Sequence, residues 1–272
     1  MCGEKPAGGK CKSSEKPAGV KVRAERSGGL SRKGNINIGA SGWDYDHWSG
    51  PFYPENLKKK RRFDYYAERF DTVEINNTFY RMPGEKTLRS WRDSAPEGFT
   101  FSLKASRYIT HMKKLKEPRA PLDNFHEKAD LLGNALGPVL LQLPPKWKYN
   151  GERLEHFLSE LHTGCRYCME FRDTDWFRDE TYEQLERAGV AFCIYEIGET
   201  RSPRRVTANF VYIRLHGPDA AYQGRYSKKT LAAHAGAINT WLEQGKDVYC
   251  YFDNDQNGYA PLNAMELKKM ID

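Results

Sequence analysis

Strand-like and helix-like segments alternate along this chain from residue 36 to its end, and that alternation limits its fold more than any other feature. Short runs rich in β-branched and aromatic residues fall at 36–42, 72–79, 100–106, 138–143, 166–172, 191–196, 210–216 and 247–254. Helical patterns separate them, at 57–70, 85–94, 122–136, 152–162, 178–188, 227–244 and 261–271, and only the connection 197–209 lacks one. Helical crossovers return the chain to the same end of a sheet, so the pattern predicts parallel strands. Eight units in a stretch of this length predict an α/β fold, a single (β/α)8 TIM-barrel-like domain. A doubly wound open sheet is the alternative. It would want a Gly-rich phosphate loop after the first strand, and Ile38-Gly39-Ala40-Ser41-Gly42-Trp43 is a poor one. Gly189 and Gly245 follow helical patterns where a left-handed cap is expected, and Pro261 sits where the last helix would begin.

The formal charge of +7 is not spread evenly. Residues 1–35 hold six Lys and three Arg against three Glu, which leaves +1 for residues 36–272. The same 35 residues hold seven Gly and no aromatic side chain. Such a segment buries too little apolar surface to offset the entropy of ordering, so 1–35 is predicted to be a disordered basic tail and 36–272 the folded domain. Nucleic acid is a partner the tail would suit, through phosphate contacts. No run approaches the ~20 apolar residues of a membrane helix, and the N-terminus lacks an apolar leader, so no membrane partner and a cytoplasmic location are expected. Six cysteines without a secretory leader fit that location. Cys165 and Cys168 have CxxC spacing, but no second pair completes a zinc site. Cys168, Cys193 and Cys250 lie in apolar strand runs and are expected to be buried thiols.

Alternate residues of a strand face opposite sides, and in a barrel one side is the axis. Val73 and Ile75 oppose Glu74, Asn76 and Thr78. Phe101 and Leu103 oppose Ser102 and Lys104. Leu141 and Leu143 oppose Gln142, Met169 and Phe171 oppose Glu170 and Arg172, and Ile213 and Leu215 oppose Arg214 and His216. The polar set therefore faces inward and gathers toward the strand C-termini, the end where barrel enzymes carry their sites. Three acids, Glu74, Glu170 and Glu196, would meet three permanent cations, Lys104, Arg172 and Arg214. Burying so many charges where apolar packing would serve points to a functional site more than to a structural plug.

Several strings then resemble a known family. Ile38-Gly39-Ala40-Ser41-Gly42-Trp43, Phe52-Tyr53-Pro54, Val73-Glu74-Ile75-Asn76-Asn77-Thr78-Phe79-Tyr80, Ile109-Thr110-His111, Glu170-Phe171-Arg172 with Trp176, Arg214-Leu215-His216-Gly217 and Tyr251-Phe252-Asp253-Asn254 are similar to the YecE-like proteins, domain of unknown function 72. The resemblance runs in order from about Ile36 to the C-terminus. It implies a TIM-barrel-like fold and no settled activity. Glu196 stands where an Asp is expected, and Asp253 where Asn is common.

The inward set suggests hydrolase-type acid–base chemistry on a phosphorylated or sugar-containing substrate, with Glu74, Glu170, His216 and Lys104 as catalytic groups. Asn76, Thr78, Tyr80, His111, Gln142, Arg172, Trp176, Glu196, Arg214, Tyr222 and Asn254 are the expected substrate contacts. Arginine forks suit phosphate or carboxylate, so an anion is the expected ligand, and Arg214→Ala is expected to abolish its binding without disturbing the fold. Glu74 and Glu170 could also serve as a glycosidase pair, with Trp43, Tyr45, Trp48, Phe52 and Tyr53 as a sugar platform or, in the favoured alternative, a packed lid. No metal ligands and no cofactor are expected. The donor types of Glu74, Glu170, Glu196, His216 and Asp253 would suit a divalent ion, but interleaved cations compete for the carboxylates. A non-catalytic protein that binds nucleic acid or a metabolite is the alternative. The basic run Lys58–Arg62 is expected to be a solvated helix face.

Overall fold

The computed structural model describes residues 32–271. Its strands are β1 (Ile36–Ala40), β2 (Thr72–Ile75), β3 (Thr100–Lys104), β4 (Leu136–Gln142), β5 (Tyr167–Glu170), β6 (Ala191–Ile197), β7 (Thr200–Arg201), β8 (Phe210–Leu215) and β9 (Asp247–Phe252). All but β7 are parallel, in the order β1-β9-β8-β6-β5-β4-β3-β2. Seven helices accompany them: α1 (Arg62–Ala67), α2 (Glu85–Ser94), α3 (Arg119–Ala129), α4 (Gly151–Ser159), α5 (Asp179–Ala188), α6 (Lys228–Glu243) and α7 (Tyr259–Lys268). This is the α/β barrel that the alternation predicts, nearly closed.

The seam lies between β1 and β2. These strands meet directly only at their C-terminal ends, where Ser41 bridges Glu74 and the Gly42 N–H donates to the Glu74 carbonyl at 2.8 Å. Below that point Tyr66 of α1 fills the gap. Its hydroxyl accepts from the Ala40 N–H at 2.8 Å and donates to the Thr72 carbonyl at 3.0 Å. Gly39 makes this approach feasible, since a Cβ there would stand 2.2 Å from the Thr72 oxygen.

Strand parity divides the interior in two. Outward residues such as Val73, Phe101, Leu103, Leu141, Met169, Phe171, Ile213 and Leu215 pack against the helices as the main core. Burying each such side chain stabilises the fold by about 1.5–3 kcal/mol. A smaller cluster fills the barrel itself, including Leu140, Cys168, Cys193, Tyr195, Tyr212 and Tyr251.

Helix boundaries follow local chemistry, with some corrections. Gly189 ends α5 in the left-handed conformation at φ 65°, and Gly245, just past α6, has φ 76°. Ser227 caps α6, its hydroxyl accepting from the Thr230 N–H. Pro261 is the third residue of α7, not the first. The predicted helix 122–136 divides into α3 and a 3-10 segment, Asp130–Ala135, because Gly133 adopts φ 54° and ψ −129°. The helix predicted at 57–70 keeps only a 3-10 turn (Lys59–Arg61) and the six residues of α1. Nor is the basic run a solvated face throughout. Arg62 is buried and pairs with Asp44 at 2.8 Å and Asp46 at 2.7 Å, anchoring the β1 loop to α1. The stretch after β6 has no helix, as predicted, and instead folds back as β7, pairing Glu196 with Arg201.

Cys168, Cys193 and Cys250 are buried free thiols, as expected, and Cys165 is half-buried. Burial pushes the Cys165 thiol up to about 12, which leaves it protonated at neutral pH. Cys2, Cys11 and most of the basic tail lie outside the described residues. Residues just before the predicted boundary are tied to the domain: the Gly34 N–H donates to the Leu242 carbonyl and the Asn35 N–H to the Asp247 carboxylate. No helix among the described residues is long and apolar enough to cross a membrane.

Candidate functional site at the barrel mouth

At the C-terminal ends of the strands the inward side chains form one charged layer centred on Arg214 of β8. Its Nε and Nη2 donate to the two oxygens of Glu74, at 2.8 and 2.7 Å. Nη1 donates to Glu170 at 2.8 Å, and Nη2 also reaches Asp253 at 3.2 Å and Asn76 at 3.3 Å. Arg214, Glu74 and Glu170 are almost wholly shielded from solvent. Burial works against the guanidinium's charge, but the surrounding carboxylates raise its pKa well above the ordinary value. Arg214 is therefore the hub of the layer. Its guanidinium is occupied by protein groups, and removing it would strand three carboxylates. That corrects the expectation that Arg214→Ala would spare the fold.

The two glutamates serve the same hub. Glu74 also accepts from the hydroxyls of Ser41 and Tyr212, so four donors satisfy its two oxygens. Glu170 accepts from Arg214 and from Gln142 Nε2, each at 2.8 Å, and is ion-paired with the Arg172 guanidinium. Burial alone would push its carboxyl up, but Arg172 and Arg214 outweigh burial and hold it well below the usual carboxylate range. Neither has the free oxygen of a general acid, and Glu170 lacks the raised pKa that the role needs. The predicted glycosidase pair is instead a pair of hydrogen-bond acceptors that fixes Arg214.

His216 is likewise engaged on both nitrogens. Nε2 lies 3.0 Å from Arg172 Nη2 and 3.2 Å from Arg214 Nη1, and Nδ1 lies 3.0 Å from Asp253 Oδ2. Two guanidinium donors at Nε2 require it to accept, so the ring is neutral with its proton on Nδ1. Burial and the Arg214 charge lower its pKa, consistent with that state. His216 positions Arg172, and burial keeps both its nitrogens from a substrate.

Lys104 differs from the other cations. It ends β3, half-buried, with Nζ 2.9 Å from Gln142 Oε1 and 4.4 Å from the centre of the Phe79 ring. Among the described residues no carboxylate lies within ion-pair distance of it, and Gln142 is the sole hydrogen-bond partner of its ammonium. Burial, followed by the Arg214 charge, brings its pKa down to about 8, against the opposing pull of Glu170, Glu74 and Asp253. His111 packs edge-on against Phe79 as well, at 4.8 Å between ring centres. Burial, Lys104 and Arg107 lower its pKa. Arg172, also half-buried, lies over the Tyr195 ring.

The predicted site residues thus separate into groups. Asn76, Lys104, His111, Gln142 and Arg172 come together at the accessible mouth, with Glu74, Glu170, Arg214 and His216 beneath them. Tyr222 stands half-exposed above His216, its ring 5.9 Å away, in a loop that holds it at φ 66°. Tyr80 points largely into solvent. Four residues do not face the site. Thr78 is buried and donates to the carbonyls of Ile75 and Lys104, securing the turn after β2. Trp176 is a core residue stacked on Phe171, with its N–H on the Trp147 carbonyl. Asn254 faces outward and ties Gly224 to Asn263. Glu196 also faces outward, 3.3 Å from His234 of α6, because Cys193 and Tyr195 take the axial positions of β6. Asp253 takes the place in the layer predicted for Glu196.

Ser41, Tyr212 and Asp253 complete the layer. Asp253 was visible only as an acid at a strand end, and a serine or a tyrosine in a strand carries no charge signal. Of the aromatic first loop, Trp48, Phe52 and Tyr53 are buried, as a packed lid requires. Trp43 and Tyr45 instead line, with Asn76, Asn77 and Trp91, a cleft of about 400 Å³ beside the charged layer. A cavity of about 530 Å³ opens at the opposite end, lined by His126, His162, Arg166 and Tyr249, remote from every residue of the charged layer. Among the described residues no group of three or more His, Cys, Asp or Glu is disposed to hold a metal ion.

Comparison with known proteins bears on the family. The family described as "Protein of unknown function DUF72" matches residues 37–272. The UPF0759 protein YunF of Bacillus subtilis (strain 168) is 28% identical over 273 residues, covering 87% of this chain and 95% of that protein. A crystal structure of a DUF72 family protein from Thermotoga maritima superposes with a TM-score of 0.79 at 29% identity, over 87% of this chain and 98% of that one. A DUF72 family protein from Enterococcus faecalis gives a TM-score of 0.73 at 19% identity, over 87% and 95% of the two chains.

Proposed function

The chain belongs to the DUF72 family, and from that premise we propose that it is an enzyme whose barrel mouth binds a small anionic substrate, phosphorylated or carboxylated, with Lys104 as the proton carrier. One observation supports this above the others: Lys104 is a half-buried cation at the mouth with no carboxylate within ion-pair reach. Arg214 and Arg172 each have a carboxylate partner. A bound anion would supply the missing partner for Lys104, with Arg172 and His111 beside it. A pKa near 8 suits a group that must give and take a proton near neutral pH. Anion binding would raise that pKa, so the substrate would help to protonate the acid that acts on it. Hydrolysis by a carboxylate pair is not part of this proposal, since Glu74 and Glu170 are committed to Arg214. The cleft beside Asn76 has room for the remainder of the substrate.

The test is thermal unfolding with inorganic phosphate against sodium chloride at equal ionic strength. Phosphate should raise the Tm of the wild type by mass action, and Arg172→Gln and Lys104→Met should each abolish the rise. An equal Tm in both salts for the wild type would refute an anion site.

The exposed aromatics favour a second reading. Tyr80, Tyr108, Met112 and Tyr222 are the large exposed hydrophobics of the described residues, and all lie on mouth loops. Beside Arg81 and Arg107, such rings suit stacking on unpaired bases of a nucleic acid whose phosphate enters the mouth. Salt-dependent oligonucleotide binding that survives Tyr80→Ala with Tyr222→Ala would remove this reading.

A further inference from the structure

We propose that the Lys104 amine is a nucleophile that forms a Schiff base with a carbonyl carbon of the substrate. This rests on the mouth being the substrate site and narrows the substrate to a small aldehyde or ketone that also carries an anionic group.

The geometry singles out Lys104 among the groups of the layer. An attacking group needs a lone pair, access and freedom from competing partners. Arg214 and Arg172 have no usable lone pair near neutral pH, the oxygens of Glu74 and Glu170 are filled by donors, and both nitrogens of His216 are engaged. Lys104 ends its strand at the mouth, is half-buried, and gives one hydrogen bond, to Gln142. Desolvation and a neighbouring cation are the two devices that make a lysine nucleophilic, and both are present in the burial of Lys104 and in Arg214. Phe79 walls one side of the amine and Gln142 holds the other, which fixes its approach.

Charge is conserved through the step. The neutral amine adds to the carbonyl carbon, forming a C–N bond while the C=O π pair moves to oxygen and is protonated. The nitrogen, cationic after the addition, loses a proton to give the neutral carbinolamine, whose hydroxyl is then protonated and leaves as water while the nitrogen lone pair forms C=N. Ammonium plus carbonyl thus becomes iminium plus water. Nζ carries one positive charge before the step and after it, so the balance with Glu74, Glu170 and Asp253 is the same at both ends. His111, which packs against the same Phe79 ring as Lys104, would shuttle the proton to the leaving water. Arg172 would take the substrate's anionic group.

The experiment treats the full-length chain with pyruvate, and separately with dihydroxyacetone phosphate, in the presence of sodium borohydride, and maps the adducts by peptide mass. The expected result is one stoichiometric reduced adduct on Lys104 with at least one probe, suppressed by inorganic phosphate and absent from Lys104→Arg. Acylation of Lys104 by acetic anhydride in the untreated protein should also show a pH midpoint near 8, set by burial and Arg214 against Glu170, Glu74 and Asp253. Adducts confined to surface lysines, or an acylation midpoint at the ordinary lysine value, would overturn the proposal. If phosphate still stabilises the wild type while no adduct forms, only the covalent step is lost. If phosphate does not stabilise it, the anion site fails first.

Discussion

The two ends of the barrel interior solve the same packing problem with different chemistry. Toward the N-terminal end the axis is filled by neutral hydroxyls: Tyr251 bonds to Thr72 at 2.6 Å and to Ser102 at 2.8 Å, and Thr100 donates to Thr72 at 2.9 Å. At the mouth, Arg214 and its three carboxylates fill the same cross-section. Among the described residues, all six non-glycine residues with positive φ also lie on mouth loops: Lys114, Leu115, Glu117, Lys146, Tyr222 and Asn257. Left-handed backbone in such residues is uncommon and persists where surrounding structure enforces it. The hydroxyl end can lose one bond at modest cost. The ionic end cannot, because each charge there is the others' compensation.

That contrast can be broken or sharpened by substitution. The largest effect is expected for Arg214→Met, which leaves Glu74, Glu170 and Asp253 without their shared partner and should lower stability by about 3–5 kcal/mol. Equilibrium urea unfolding at pH 7 measures this, and a loss below about 1 kcal/mol would mean that the carboxylates protonate or hydrate freely. Gly39→Ala should follow, at about 1–3 kcal/mol, because the new methyl group must displace the Thr72 carbonyl or Tyr66 at the seam. A neutral result would show that β1 and β2 can part. Tyr251→Phe, at the opposite end, should lose only about 1 kcal/mol, since Thr72 and Ser102 keep neutral surroundings. A loss equal to that of Arg214→Met would erase the distinction between the two ends.

A further effect is one of pH. The folded protein holds Lys104 near 8 while the unfolded chain holds it near 10.5. Between those values the unfolded chain binds more protons, so this group makes stability rise with pH across the window. Below about 8 both states are protonated and the full penalty of the buried ammonium applies. Lys104→Met should therefore be stabilised relative to the wild type at pH 7, by a margin that shrinks toward pH 10.5. Stability curves for the two proteins that run parallel from pH 7 to 10.5 would show that Lys104 titrates normally.

Much of the barrel was legible because its signals are local. Alternation of Ser102 and Lys104 with Phe101 and Leu103 announces which face of β3 meets the helices, whatever the rest of the chain does. The same logic failed at β6, where Cys193, Ile194 and Tyr195 are all apolar enough for either face, and the terminal Glu196 was placed on the wrong one. It failed at Trp176, whose ring lies behind the barrel wall, and at Thr78 and Asn254, which secure turns. Polar residues at strand ends look alike in sequence whether they bind a ligand or a carbonyl.

By itself the sequence determined the eight-strand alternation, the inward direction of the polar set and its concentration at one end. These follow from periods of two and 3.6 residues and need only near neighbours. Tertiary structure alone decided the partners. Tyr212 reaches Glu74 across 138 positions, and Arg214 gathers Glu74 and Glu170 from two other strands and Asp253 from the end of a third. Closure of the ring sets those distances. It also left Lys104 a half-buried mouth cation with no carboxylate within ion-pair reach among the described residues, because the nearby acids were already within bonding distance of arginines.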